Sequence, residues 1–378
     1  MYEGLTPLLM GIIILLASLI SLRFGISVAI LEIIFGVIAG NLGLISTEGW
    51  IIYLSGFGGI FLTFLAGAET DIILMRRQLK ENFLIGLFSF LSPFIFVFLF
   101  TYYIANWSLL ASLIAGVALS ETAVAVVYFV LIETNTSQTV IGKKLMAATF
   151  MTNMGTAIAL SILFLRPTLY TLIFVLISII VIVLATKFSN IVFENPKLKN
   201  KVIEPEIKYI FLLLLVFIFF AQLGGAQAIL PAFILGLFMS KHFVGTSETI
   251  EVKKRLKTIA FAFITPIFFI VGGLNVSLTL IVSALPLFIS LFVIRQLSKF
   301  AGIYLITSKY LKQDLTYITL LLSTGLTFGL IASLFGLNAG YINQIQYSIL
   351  TGVLISSAII PTYIAQKWFM PLHPEDMI

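Results

Sequence analysis

Apolar residues run along this chain in blocks too long for the helices of a soluble protein. Stretches of about 20 apolar residues, the length that crosses a bilayer, start near residues 4, 24, 50, 82, 108, 143, 168, 208, 226, 257, 279, 314 and 345. They predict an all-α polytopic membrane protein with about 13 transmembrane helices and little chain outside the bilayer. The longest polar connection, residues 188–208, follows the seventh stretch and carries Glu194, Pro196, Glu204 and Pro205. Six stretches precede the seventh and six follow this connection. The halves then enter the membrane from opposite sides, as in inverted-repeat transporters. The expected organisation is a first repeat over about residues 4–165, a linker helix over about 168–187 and a second repeat over about 208–369.

Composition agrees with a bilayer environment. Of 378 residues, 60% are hydrophobic and 10% charged, with a mean hydropathy of +1.14, against roughly 25% charge in soluble domains. The run from Leu5 to Leu22 lacks a basic flank and a clear small-residue cleavage site, so it is read as the first span and not as a signal peptide. There is no cysteine, which excludes disulfides, thiolate metal sites and a cysteine nucleophile.

A pI near 9.3 raises nucleic acid as a partner, but the placement of the charge argues against it. With alternating spans, nineteen of the 22 Lys and Arg fall on one side, only Arg166 on the other, and Arg295 and Lys299 inside a span. The positive-inside rule puts the basic side in the cytoplasm, the N-terminus outside and the C-terminus inside, in a multi-pass cell-membrane protein. Ten residues follow Trp368, so no cytoplasmic regulatory domain is expected.

The fifth stretch reads AGVALSETAVAVV and the twelfth LLSTGLTFGLIAS. Leu119-Ser120-Glu121-Thr122 and Leu322-Ser323-Thr324-Gly325 occupy equivalent places in the two halves, and Thr327 follows in the second. Such mid-depth mixtures of small and hydroxyl residues suit discontinuous helices that cross and free their backbone for an ion. Tight helix packing through small residues accounts for the same pattern.

Of 16 carboxylates only Glu32, in the second stretch, and Glu121, in the fifth, lie near mid-depth, with Arg295 and Lys299 in the eleventh. A charge at a span centre costs about 2.5–3.5 kcal/mol on insertion scales, so four such residues are a short and informative set. Arg295 and Lys299 share a helix face and can each hold a carboxylate from another helix; a static ion pair that only fixes packing is the alternative. Glu121, beside Ser120, Thr122 and Gly116, is the candidate carrier, while Glu32 stands between a pathway role and a structural one. There is no His-Glu-x-x-His pair or mid-membrane Asp dyad for an intramembrane enzyme. His242 and His373 are read as solvated loop residues, and Gly56 to Gly59 as helix packing.

Five segments, FLAGAETDIILMRRQ, ALSETAVAVVYFVLIE, GKKLMAATFMTNMGTAIALSILF, TPIFFIVGGLNVSL and LLSTGLTFGLIASLFGL, resemble the monovalent cation:proton antiporter superfamily, in its Kef-type and NapA-type branch. The resemblance implies thirteen helices in two inverted repeats, a homodimer, and a core domain that moves against a dimerisation domain. It places the ion site where the crossed helices of the fifth and twelfth spans meet the sixth, and matches Lys299 to a lysine that pairs with a site residue.

Relatives carry an aspartate in the sixth span, where this chain has Thr152-Asn153. An amide does not bind and release a proton near neutral pH. The same relatives carry Ser or Thr at the place of Glu121. Either the carrier carboxylate has moved to Glu121, or Asn153 disables antiport.

The expected function is exchange of a monovalent cation, sodium favoured over potassium, for protons by alternating access. No cofactor and no nucleic acid are implied. Glu121, Ser120, Thr122, Thr152 and Asn153 are the expected ion ligands, with Glu121 and Asn153 foremost. Lys299, Arg295 and Glu32 compensate charge. The alternatives are a cation-independent carrier or channel and a non-transporting membrane sensor.

Overall fold

The computed structural model describes residues 5–24, 27–45, 48–68, 79–133, 136, 139–164, 168–195, 203–224, 226–243, 247–310 and 314–370. Among these residues no strand occurs. The helices in chain order are α1 (Leu5–Phe24), α2 (Val28–Asn41), α3 (Gly49–Ala68), α4 (Leu79–Leu99), α5 (Leu109–Ser120) and α6 (Val124–Glu133), followed by α7 (Val140–Leu163), α8 (Leu169–Glu194), α9 (Pro205–Gly224), α10 (Ile229–Met239), α11 (Ser247–Ile259) and α12 (Thr265–Leu274). The last five are α13 (Leu278–Ser283), α14 (Leu285–Tyr310), α15 (Leu315–Leu322), α16 (Thr327–Asn338) and α17 (Gln344–Trp368).

Ten helical runs among the described residues are long and apolar enough to cross a membrane. Three shorter apolar helices, α2, α5 and α10, lie in the second, fifth and ninth predicted stretches. The chain is a multi-pass membrane protein. Helix starts follow local chemistry: Ser108, Thr168 and Asn343 each accept a backbone N–H of the first turn through the side chain, and Asn343 forms a capping box with Gln346.

Two compact units are present. The first comprises residues 1–49, 76–156 and 269–378, the second residues 50–75 and 157–268. In the first, α4 packs along α14 and α5, α5 along α16, and α17 against α14, α15 and α16. In the second, α8 packs on α9 and α10.

Glycines let backbones touch in both units. A Cβ on Gly36 of α2 would collide with the Ile270 carbonyl of α12, and one on Gly273 with the Ile33 carbonyl of α2. In the second unit a Cβ on Gly67 of α3 would strike the Phe233 carbonyl of α10, and one on Gly236 the Phe64 carbonyl of α3. In each joint the glycine meets the carbonyl three residues before its partner glycine. Gly58, expected to serve packing, lies against Ile264 and Phe268 in the second unit.

Some boundaries and burials differ from expectation. The seventh stretch was expected to end near residue 187, but α8 continues to Glu194. Its polar tail stays helical because its Ser189 is buried, donating to the Thr186 carbonyl (2.7 Å) and pairing with His242 Nε2 (2.8 Å). His242 is therefore not a solvated loop residue: it is buried and stacks on Phe193 at 4.9 Å between ring centroids. His373, Arg76, Arg77, Arg166 and residues 196–202 of the long connection lie outside the described residues.

Candidate functional site

Two helical runs of the first unit stop in mid-course, and their interruptions meet. α5 ends at Ser120 and α6 begins at Val124; α15 ends at Leu322 and α16 begins at Thr327. A stopped helix leaves carbonyls without intrahelical partners, and here local hydroxyls bond the carbonyls of the last turn, two of which, of Thr319 and Leu321, also accept backbone N–H groups. Ser120 donates to Val117 O (2.9 Å), Ser323 to Thr319 O (2.7 Å) and Thr324 to Leu321 O (2.7 Å). The interruptions then bond to each other, Ala123 N to Thr324 O (3.3 Å) and Thr122 Oγ1 to Leu322 O (2.9 Å). The two discontinuities expected from sequence are thus real, and Ser120, Glu121 and Thr122 face Ser323, Thr324 and Gly325 across them.

Three fully buried charges converge on this junction. Lys299 Nζ donates to the carbonyl of Ser120 (2.6 Å) and to that of Glu121. Arg295 Nη1 donates to the Ser323 carbonyl (2.6 Å) and to Gln296 Oε1 (2.5 Å). Sequence pointed to carboxylates as partners for this pair. Instead each cation caps the C-terminal end of a half-helix, α5 or α15, where the partial charge is negative. The Glu121 carboxylate lies within Coulombic reach of both cations, and its Oε1 accepts the Leu326 N–H at the N-terminal end of α16, where the partial charge is positive. Gly325 is needed at this point, because a Cβ there would run into Arg295 Nη2.

The junction also concentrates polar atoms with no hydrogen-bond partner. They are Glu121 Oε2, Arg295 Nε and Nη2, and Thr327 Oγ1; on α7 both Oδ1 and Nδ2 of the buried Asn153 are likewise without partner. Buried polar groups are rarely left so. Asn153 and Thr152 stand side by side on α7, and Thr152 Oγ1 reaches Ala148 O (3.0 Å) and Gly86 O of α4 (3.4 Å). One turn along α4, Ser89 Oγ lies 3.4 Å from Thr122 Oγ1.

Glu32 stands apart from the other buried charges. It is 2% exposed on α2, and no described residue shares a hydrogen bond or ion pair with it. Sequence reasoning missed Ser89, since a lone serine in an aromatic-rich helix reads as packing; its only signal is the spacing from Gly86.

Among the described residues no group of three His, Cys, Asp or Glu gathers to hold a metal ion. The junction offers hydroxyl, carbonyl and single-carboxylate oxygens, a hard donor set.

The family model for the sodium/hydrogen exchanger, transmembrane, matches residues 11–369. The chain is 26% identical to the probable Na(+)/H(+) antiporter 3 of Methanocaldococcus jannaschii, over 72% of this chain and 71% of that protein. It is 26% identical to the Na(+)/H(+) antiporter NhaS4 of Synechocystis sp., over 96% of each. The structure of the sodium proton antiporter MjNhaP1 from Methanocaldococcus jannaschii shares the fold, with a TM-score of 0.69 over 98% of this chain and 100% of that one at 17% identity.

Proposed function

Because the chain belongs to the sodium/hydrogen exchanger family, we propose that it exchanges sodium for protons at the junction of the two interrupted helices, with Glu121 as the carboxylate that carries either ion. The observation that supports this most is Glu121 itself: fully buried where both interruptions meet, with one carboxylate oxygen free.

A single carboxylate that holds either a proton or a cation couples the two fluxes by competition. In one half-cycle Glu121 is protonated. In the other it is ionised and holds sodium, with oxygens of Ser120, Thr122, Thr152 and Asn153 completing the shell. Lys299 and Arg295 keep the half-helix ends capped in both states, so the carriers of charge do not have to rearrange with each ion. The site opens to one side and then the other.

Asn153 fits a ligand role better than a packing role, since neither its amide oxygen nor its nitrogen has a partner. Sodium is preferred to potassium as the cargo. The reading includes a homodimer, which accords with the uncovered apolar face of α8, where Leu169, Tyr170, Leu172 and Ile179 are all more than half exposed. It also includes thirteen spans in two inverted repeats, an outside N-terminus and a cytoplasmic C-terminus. The paired glycine joints support the repeats, and the basic residues support the orientation.

The bond from Leu326 to Glu121 favours a second reading. A carboxylate that caps α16 is a structural part, and with an amide at position 153 no carrier remains. The fold would then act as a cation-independent carrier or channel, or as a non-transporting sensor. Sodium-driven pH changes in proteoliposomes separate the two. Under the first reading Glu121→Gln is inactive while wild type exchanges. Retained exchange in Glu121→Gln overturns Glu121 as the carrier, and exchange that is absent from wild type and appears only in Asn153→Asp establishes the second.

A further inference from the structure

We propose that Ser89 of α4 supplies an oxygen ligand to the cation at the junction and sets how tightly that cation is held, an assignment that rests on the exchange site proposed above. The argument is a count of protons. Thr122 has one hydroxyl proton, and it goes to the Leu322 carbonyl at 2.9 Å. In the 3.4 Å pair with Ser89 the Thr122 oxygen is therefore the acceptor and Ser89 the donor. With its own proton directed at Thr122, Ser89 Oγ keeps its lone pairs, and no described donor faces them. Ser89 is 0% exposed, so bulk water does not satisfy them either.

Oxygens on α7 and at the first interruption are in the same condition. Thr152 Oγ1 gives its proton to Ala148 O (3.0 Å), and Asn153 Oδ1 and Glu121 Oε2 have no donor. Gly86, one turn from Ser89, holds α4 against α7: a Cβ there would collide with Met151 and lie 3.1 Å from Thr152 N. One stretch of α4 thus touches both the first interruption, through Ser89, and Thr152 of α7, through Gly86. Buried oxygens with unused lone pairs are what a partly dehydrated monovalent cation requires. Ser92, three residues on, shows the contrast. Its hydroxyl donates to Ser298 O at 2.6 Å and ties α4 to α14.

The experiment compares Ser89→Ala, Ser89→Thr and Ser92→Ala in proteoliposomes, reading sodium-driven pH change against sodium concentration. Loss of one oxygen ligand is expected to raise the sodium KM of Ser89→Ala about tenfold while the maximal rate stays within about twofold. Ser89→Thr, which keeps the hydroxyl, returns KM toward wild type, and Ser92→Ala leaves KM unchanged. Sodium-dependent thermal stabilisation in detergent reads binding without transport, and Ser89→Ala should lose most of it. A wild-type KM and a full stabilisation shift in Ser89→Ala overturn the proposal, as does an equal KM rise in Ser92→Ala. If Glu121→Gln still exchanges, the site itself is wrong. If Glu121→Gln is inactive and Ser89→Ala binds sodium as wild type does, only the Ser89 assignment fails.

Discussion

A buried ammonium group needs acceptors, and Lys299 takes them from the peptide carbonyls of Ser120 and Glu121. Lys299→Met leaves both carbonyls buried and unpartnered at the end of α5, at a cost of about 1–3 kcal/mol for each unsatisfied group. The expected outcome is a clear fall in Tm, read by thermal unfolding in detergent, with Lys299→Arg falling less because it keeps the donors. Gly325→Ala tests the neighbouring cap: its methyl displaces the Arg295 guanidinium from the Ser323 carbonyl, so Tm and exchange should fall together. Glu121, Arg295 and Lys299 were legible as residues because mid-span charge is scarce in this chain. Their bonding was not, because side-chain identity does not say whether a cation meets a carboxylate or the end of a helix.

Helices that touch through glycine lose that contact as soon as a side chain intervenes. Gly273→Val and Gly67→Val should each lower Tm, since overpacking typically costs about 1–3 kcal/mol and both would drive a methyl-bearing carbon into a carbonyl, of Ile33 or of Phe233. Gly11→Ala on α1 is the control, with nothing within 4 Å of the added atom, and should leave Tm unchanged. The interruptions of the fifth and twelfth stretches were readable in SET and STG, where small and hydroxyl residues replace the apolar ones around them. The end of α8 was not: its polar tail resembles a loop until Ser189 is seen paired with His242.

For the molecule as a whole, one carrier carboxylate predicts electroneutral exchange: an imposed membrane potential should leave the sodium-driven pH change in proteoliposomes unaltered, and a voltage-dependent rate would require a second titrating group, for which Glu32 is the buried candidate. Orientation is testable directly because the chain has no cysteine. Single cysteines at Lys143 and Lys309 should react with an impermeant maleimide only after permeabilisation, and one at Arg166 should react in intact cells. The opposite pattern would invert the topology.

Residence in the membrane, the approximate positions of the helical stretches, their interruptions and the burial of Glu32, Glu121, Arg295 and Lys299 were legible in the sequence alone, whereas the burial of Glu206 at the start of α9 was not. Hydropathy and charge scarcity are sums over neighbouring residues, so no tertiary contact is needed to read them. The tertiary structure decided which groups those charges bond, that Ser89 adjoins Thr122, that His242 is buried, and that Asn153 is left without partners. Each of these depends on which atoms from separate helices come, or fail to come, within hydrogen-bonding distance, and no local pattern encodes that approach.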